Sequence, residues 1–124
     1  MATQSSGPTF PVHVDERELV EDLAHASEAG RSAIELMVQR LKADGVLAAW
    51  LKQCDAEARD GTRLPGCVKL YIPRPAGQWG AVFLGGSVDE RPVLFLLAVG
   101  ERHPGAPWQP SVYEIAHRRL QARG

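Results

Sequence analysis

Cysteine is scarce: Cys54 and Cys67 are the only two in 124 residues, too few and too widely spaced for a metal cluster or a disulfide framework. They read as two reduced thiols, with Cys67 at least half-buried. Long apolar runs are missing as well. The longest, Val93 to Val99, falls far short of the ~20 residues that a helix needs to cross a bilayer, which excludes an integral helical membrane protein. The opening MATQSSGPTF has neither the basic start nor the apolar stretch of a secretory leader, so the expected location is cytoplasmic. An excess of one charge is also lacking, since 14 Lys and Arg face 15 Asp and Glu for a formal net charge of −1. A strongly basic nucleic-acid binder looks different. No pairing among the 4 histidines has metal-ligand spacing, and no Gly-rich phosphate cradle occurs, so neither a metal nor a nucleotide cofactor is expected.

What the chain does have is 44% hydrophobic residues, 12 Gly and 9 Pro, enough for a single core with many turns. Residues 1–9 read as a flexible N-terminal tail and residues 10–124 as a single domain. Its charge is unevenly spread. Residues 1–60 hold 6 basic and 11 acidic side chains, whereas residues 61–124 hold 8 basic and 4 acidic ones. The near-zero total conceals an acidic first half and a basic second half.

Phe10 to Val14 alternates with a β-branched bias and predicts a short edge strand. Asp15 then stands at an N-cap with Glu18 three residues on, and Leu19, Val20, Leu23 and Ala24 repeat at helical spacing up to Gly30. A second helix is predicted from about Arg31 through Leu41, broken at Gly45. Val46, Leu47, Trp50, Leu51 and Cys54 resume the same period and predict a further helical stretch in series. Residues 55–66 read as a loop. Beyond it the period drops to 2, and Val68–Ile72, Trp79–Leu84 and Pro92–Val99 predict an antiparallel meander, with Gly85 to Arg91 as the second turn. Ser111 caps a last helix carrying Val112, Ile115, Ala116 and Leu120 on its docking face. The expected fold is α+β, a small antiparallel sheet in the order β-α-α-β-β-β-α with helices packed mainly on one face.

That order, with LPGCVKLYIP from Leu64, AGQWGAVF, PVLFLLAVGERH and the terminal SVYEIAHRRL, resembles the RelE/ParE superfamily of bacterial toxin–antitoxin modules. The V-G-x-R strand end followed by V-Y-x-x-A-x-x-R is similar to the RelE branch in particular. The resemblance implies a RelE-like fold and a ribosome-associated endoribonuclease that cuts mRNA and is held inactive by a cognate antitoxin protein. It implies catalytic roles for Lys69, Arg102 and Tyr113. Two positions depart from the pattern: Gly80 stands where an arginine belongs, and a second lysine near Tyr71 is absent. Two further readings stay open beside it, a non-catalytic RelE-fold partner-binding module and a ParE-like gyrase inhibitor.

Chemistry independent of any family leads to the same residue types. Cleavage through the 2′-OH needs that oxygen deprotonated, the phosphorane charge neutralised and the 5′-oxygen protonated. Arg and Lys neutralise phosphate without a metal, and an aromatic ring holds a splayed base. His103, beside Arg102, is the candidate for proton transfer because imidazole titrates near neutrality. Arg74, Arg118 and Trp108 are candidate RNA contacts. His117 lies four residues after Tyr113 on the same helix face, whereas His13 and His25 read as structural or surface residues. Trp79 alternates with Ala81 and Phe83 and reads as core.

Overall fold

The computed structural model describes residues 8–54, 64–73 and 77–123. In chain order its elements are β1 (Thr9–Phe10), β2 (Val12–Val14), α1 (Glu16–Leu23), α2 (Glu28–Asp44), β3 (Val46–Leu47), a 3-10 turn (Ala48–Trp50), β4 (Lys52–Gln53), β5 (Cys67–Tyr71), β6 (Trp79–Val88), β7 (Arg91–Glu101) and α3 (Val112–Arg123). The architecture is α+β. The main sheet runs β2-β7-β6-β5-β4, and β1 pairs with β3 in a two-stranded ribbon beside it. Residues 1–7 of the expected tail lie outside the described residues, and Thr9 already pairs with Leu47.

The meander of β5, β6 and β7 is antiparallel, as the period-2 pattern predicts. The sheet as a whole is mixed, because β2 lies parallel to β7 with Val12 opposite Leu94. A parallel pair needs a long crossover, and here the chain from α1 through β6 supplies it. Nothing local in Val12 to Val14 encodes that direction.

Each helix start has a local cause. The Asp15 carboxylate accepts from the backbone N–H groups of Arg17 and Glu18 at 3.0 and 3.3 Å, satisfying two of the orphan donors at the start of α1. Ser27 Oγ accepts from Gly30 N–H at 3.1 Å. The break between the helices therefore falls before Ser27 and not at Gly30, which sits in the first turn of α2. The helical stretch expected after Gly45 is instead β3, a 3-10 turn and β4. Gly45 causes the change: its φ is +76°, and a Cβ there would stand 2.6 Å from Phe10 O. Only glycine lets the chain turn back this close to β1.

The β6–β7 hairpin is longer than its sequence suggests. Asp89 and Glu90 have φ of 51° and 68° and join Val88 to Arg91 in a two-residue turn, the geometry that suits strand twist. Gly85 and Gly86 lie within β6, where the Phe95 ring crosses Gly86 so closely that a Cβ would meet it at 2.7 Å.

Two cores flank the sheet. One joins α1 and α2 to the sheet through Leu19, Ile34, Val38, Trp79, Phe83 and Val99. The other seats Val112 and Ala116 of α3 on Cys67, Val82, Leu97 and Ala98. A register shift between Val82 and Phe83 puts consecutive Leu97 and Ala98 in the same core, as a β-bulge does. Two helices thus cover one face and α3 partly covers the other. Asp22 and Arg119 tie them together past the end of β2: Asp22 accepts from Val99 N–H at 2.9 Å, and Arg119 donates to Leu97 O and to both Asp22 oxygens at 2.8 Å. These contacts satisfy the β7 edge that β2 is too short to cover. Burial pulls the Arg119 guanidinium down, but its hydrogen bond to Asp22, followed by the Asp22 and Glu18 charges and the hydrogen bond to Glu21, raises it above its ordinary value.

Candidate functional site

Alternation along β5 sends Cys67, Lys69 and Tyr71 to the α3 face while Val68 and Leu70 join the opposite core. Arg102 follows β7 directly, and its N–H donates to Gln78 O at 2.9 Å. Tyr113 sits in the first turn of α3. That turn is fixed by a reciprocal cap: Ser111 Oγ accepts from Glu114 N–H at 3.2 Å, and Glu114 Oε1 accepts from Ser111 N–H at 3.5 Å. The three elements enclose a basin of about 470 Å³ lined by Lys69, Tyr71, Arg102, His103, Tyr113 and Glu114, with Cys54 in its wall.

Cations and rings interleave inside it. The Arg102 guanidinium carbon lies 4.1 Å from the Tyr71 ring centroid, and Lys69 Nζ lies 5.7 Å from Tyr71 and 5.5 Å from Tyr113. Lys52, paired in register with Lys69 across β4 and β5, places its Nζ 4.6 Å from the Tyr71 ring on the side of a neighbouring groove. Arg102 Nε is buried and has no hydrogen-bond partner among the described residues. Burial pushes the Tyr113 phenol up; the Lys69 and Arg102 charges oppose that shift without cancelling it.

Gly80 explains how Arg102 reaches Tyr71. It pairs with Tyr71 across the sheet, and the Arg102 side chain lies over it. The space above Gly80 is thus filled by the aliphatic stem of Arg102.

Of the residues singled out in the sequence, Lys69, Arg102, His103 and Tyr113 all line the basin. Arg118 does not: its side chain is 68% exposed and reaches Glu114 at 3.8 Å. Trp108 is 85% exposed and stands outside the lining as well. Helix and loop geometry, not residue type, separates them from the site. Arg74 lies outside the described residues. His13 packs on Phe95 at 5.5 Å between ring centroids, and Trp79 is core. Tyr71 and Lys52 were not singled out in the sequence. Tyr71 was detectable, because Lys69 and Tyr71 share a strand face at i and i+2; Lys52 was hidden in the stretch misread as helix.

A second concavity of about 730 Å³ lies on the other side of Tyr71, with Met37, Leu41, Trp50 and Ile72 among its walls. Trp50 is 55% exposed there. Among the described residues no three His, Cys, Asp or Glu side chains gather as a metal site, and no helix is long and apolar enough to cross a membrane.

No protein-family model matches the chain, and no curated protein matches it. Among solved structures it is similar to one of the E. coli toxin RelE, an arginine-to-alanine double mutant in the free state, at 21% sequence identity and a TM-score of 0.46, covering 91% of this chain and 99% of that one.

Proposed function

We propose that the protein is a RelE-like toxin, an endoribonuclease that cuts mRNA on the ribosome through the 2′-OH, and that an antitoxin restrains it. The observation that carries this reading is the interleaving of Arg102, Lys69, Tyr71 and Tyr113 on one concave face. Two cations and two rings at this spacing suit a backbone phosphate beside an unstacked base.

In the proposed reaction the 2′-oxygen loses its proton and bonds to phosphorus, and the P–O5′ bond breaks as that oxygen takes up a proton. Arg102 and Lys69 neutralise the charge that develops on the phosphate oxygens. His103 exchanges the protons. Tyr113, held as a phenol by burial, stacks on the base instead of acting as a base itself. The antitoxin covers the apolar groove beside Tyr71, where Trp50 is exposed.

Expression in a bacterial host tests the reading. The wild type arrests growth and leaves mRNA fragments with 5′-hydroxyl ends, whereas the double variant Arg102→Ala with Tyr113→Ala does neither. Absence of fragments from the wild type would overturn the enzymatic reading and favour the non-catalytic partner-binding module.

A further inference from the structure

The two cysteines, 13 positions apart in sequence, face one another across the sheet. Lys52 pairs with Lys69 and Gln53 with Val68, so the next step of the antiparallel register sets Cys54 opposite Cys67. The backbone agrees, since Cys54 N–H donates to Cys67 O at 3.2 Å. Both side chains belong to the core under α3, Cys67 buried within it and Cys54 packed against its edge. Their situations differ usefully. Cys54 is half-buried and lines the basin, open to a small solute, whereas the Cys67 thiol is closed off and donates to Pro65 O at 3.7 Å.

We propose that Cys54 and Cys67 form a reversible disulfide in response to peroxides, a redox-sensitive bond in the basin wall. Directly opposed, hydrogen-bonded residues of an antiparallel pair have Cα atoms about 5.5 Å apart, within the span a disulfide bridges. Cβ atoms of directly opposed residues in such pairs stand about 4.5–5.5 Å apart, wider than the ~3.8 Å a relaxed disulfide prefers. Closing that gap at the end of a two-residue strand strains the bond, and strained disulfides are the readily reduced ones. The pair therefore suits a switch better than a permanent staple.

Cys54 is the attacking sulfur. Its thiolate bonds to one peroxide oxygen as the O–O bond breaks and hydroxide departs, leaving a sulfenic acid. The Cys67 sulfur then bonds to the Cys54 sulfur, the S–O bond breaks, and the hydroxide leaves as water with the Cys67 proton. Two thiols are oxidised and one peroxide is reduced to two waters. Two thiols of glutathione reverse the bond and become glutathione disulfide.

The full-length protein, treated with hydrogen peroxide and examined by intact mass and by peptide mapping, tests this. The expected product has lost two hydrogens, links the peptides holding Cys54 and Cys67, and returns to the starting mass with reduced glutathione. Cys67→Ser is expected to stop at the sulfenic acid on Cys54, trapped by dimedone, and Cys54→Ser to resist oxidation. Oxygen addition at Cys54 of the wild type without linkage, or a linkage only between two molecules, would overturn the proposal. So would an internal disulfide that glutathione leaves intact. None of these outcomes depends on cleavage of RNA.

Discussion

The side chain of Arg102 occupies the space above Gly80: a Cβ on that glycine would lie 3.1 Å from Arg102 Cγ and 3.2 Å from Cδ. The family resemblance makes Gly80 a lost arginine, whereas in the structure the stem of Arg102 fills the space above it. An arginine at position 80 contests the volume Arg102 uses to reach Tyr71, so Gly80→Arg is expected to cost about 1–3 kcal/mol of stability through overpacking. It is also expected to lower RNA cleavage about 100-fold, the order seen when one charge-stabilising donor is lost. Thermal unfolding and cleavage of a reporter mRNA check both. A gain in cleavage would show that Arg102 does not depend on that space.

Tyr71 is the ring around which three cations gather, with Lys52 at 4.6 Å, Lys69 at 5.7 Å and Arg102 at 4.1 Å from its centroid. An electron-rich ring face holds each by about 0.5–1 kcal/mol where solvent reaches it. Tyr71→Phe keeps the ring and is expected to leave affinity for a short single-stranded RNA within about twofold. Tyr71→Leu removes the ring and is expected to weaken binding about fivefold or more, with Arg102 no longer held. Titration of a fluorescent RNA oligomer at fixed salt measures both variants. Equal losses in the two would place the importance of Tyr71 in its hydroxyl.

The parts of the fold legible in the sequence are those whose signal is local. The meander was legible because Val68 to Ile72, Trp79 to Leu84 and Pro92 to Val99 carry their own period or apolar run, and Asp15 and Ser111 announce helix starts by residue type; the extension of β6 and β7 through Gly85 to Arg91 was not. The segment from Val46 to Gln53 was not, because Val46, Leu47, Trp50 and Leu51 mimic helical spacing while the decisive contact is Gly45 against Phe10, 35 positions away. The site divides the same way. Lys69, Arg102 and Tyr113 follow local motifs, whereas Lys52 depends on a strand pairing invisible to pattern. Gly80 looked like a defect for the same reason, since its partner is a side chain from another strand's end.

Asp22 and Arg119 form the buried clasp that joins α1, β7 and α3. Asp22 is 4% exposed and accepts from Val99 N–H as well as from the guanidinium. Asp22→Ala leaves Arg119 partly buried without its main partner and strands a backbone donor. Breaking a pair of this kind costs about 3–5 kcal/mol. Urea unfolding is expected to show a midpoint lowered accordingly. Glu21→Ala, which removes an exposed partner of the same arginine at 3.2 Å, is expected to change stability by less than about 1 kcal/mol. If the two variants lose the same amount, the clasp is not the anchor of α3.

Alkaline pH acts on two groups that burial keeps protonated. Burial raises the Tyr113 phenol above its ordinary 10.0, an effect that Lys69 and Arg102 reduce and Tyr71 and Cys54 reinforce; burial likewise raises the Cys67 thiol above 9.0. Each binds its proton more tightly folded than unfolded. The stability they lend is therefore fully present below their unfolded values and is lost as pH rises through the folded ones. The melting temperature is expected to hold through neutral pH and fall above about pH 9, in Tyr113→Phe with a shallower fall near the phenol range. Thermal unfolding across that range, paired with phenolate absorbance, checks the sign, and a melting temperature that rises there would contradict it. The same sign bears on mechanism: at neutral pH Tyr113 is a phenol, so Tyr113→Phe is expected to leave the pH dependence of RNA cleavage below about pH 8 in place.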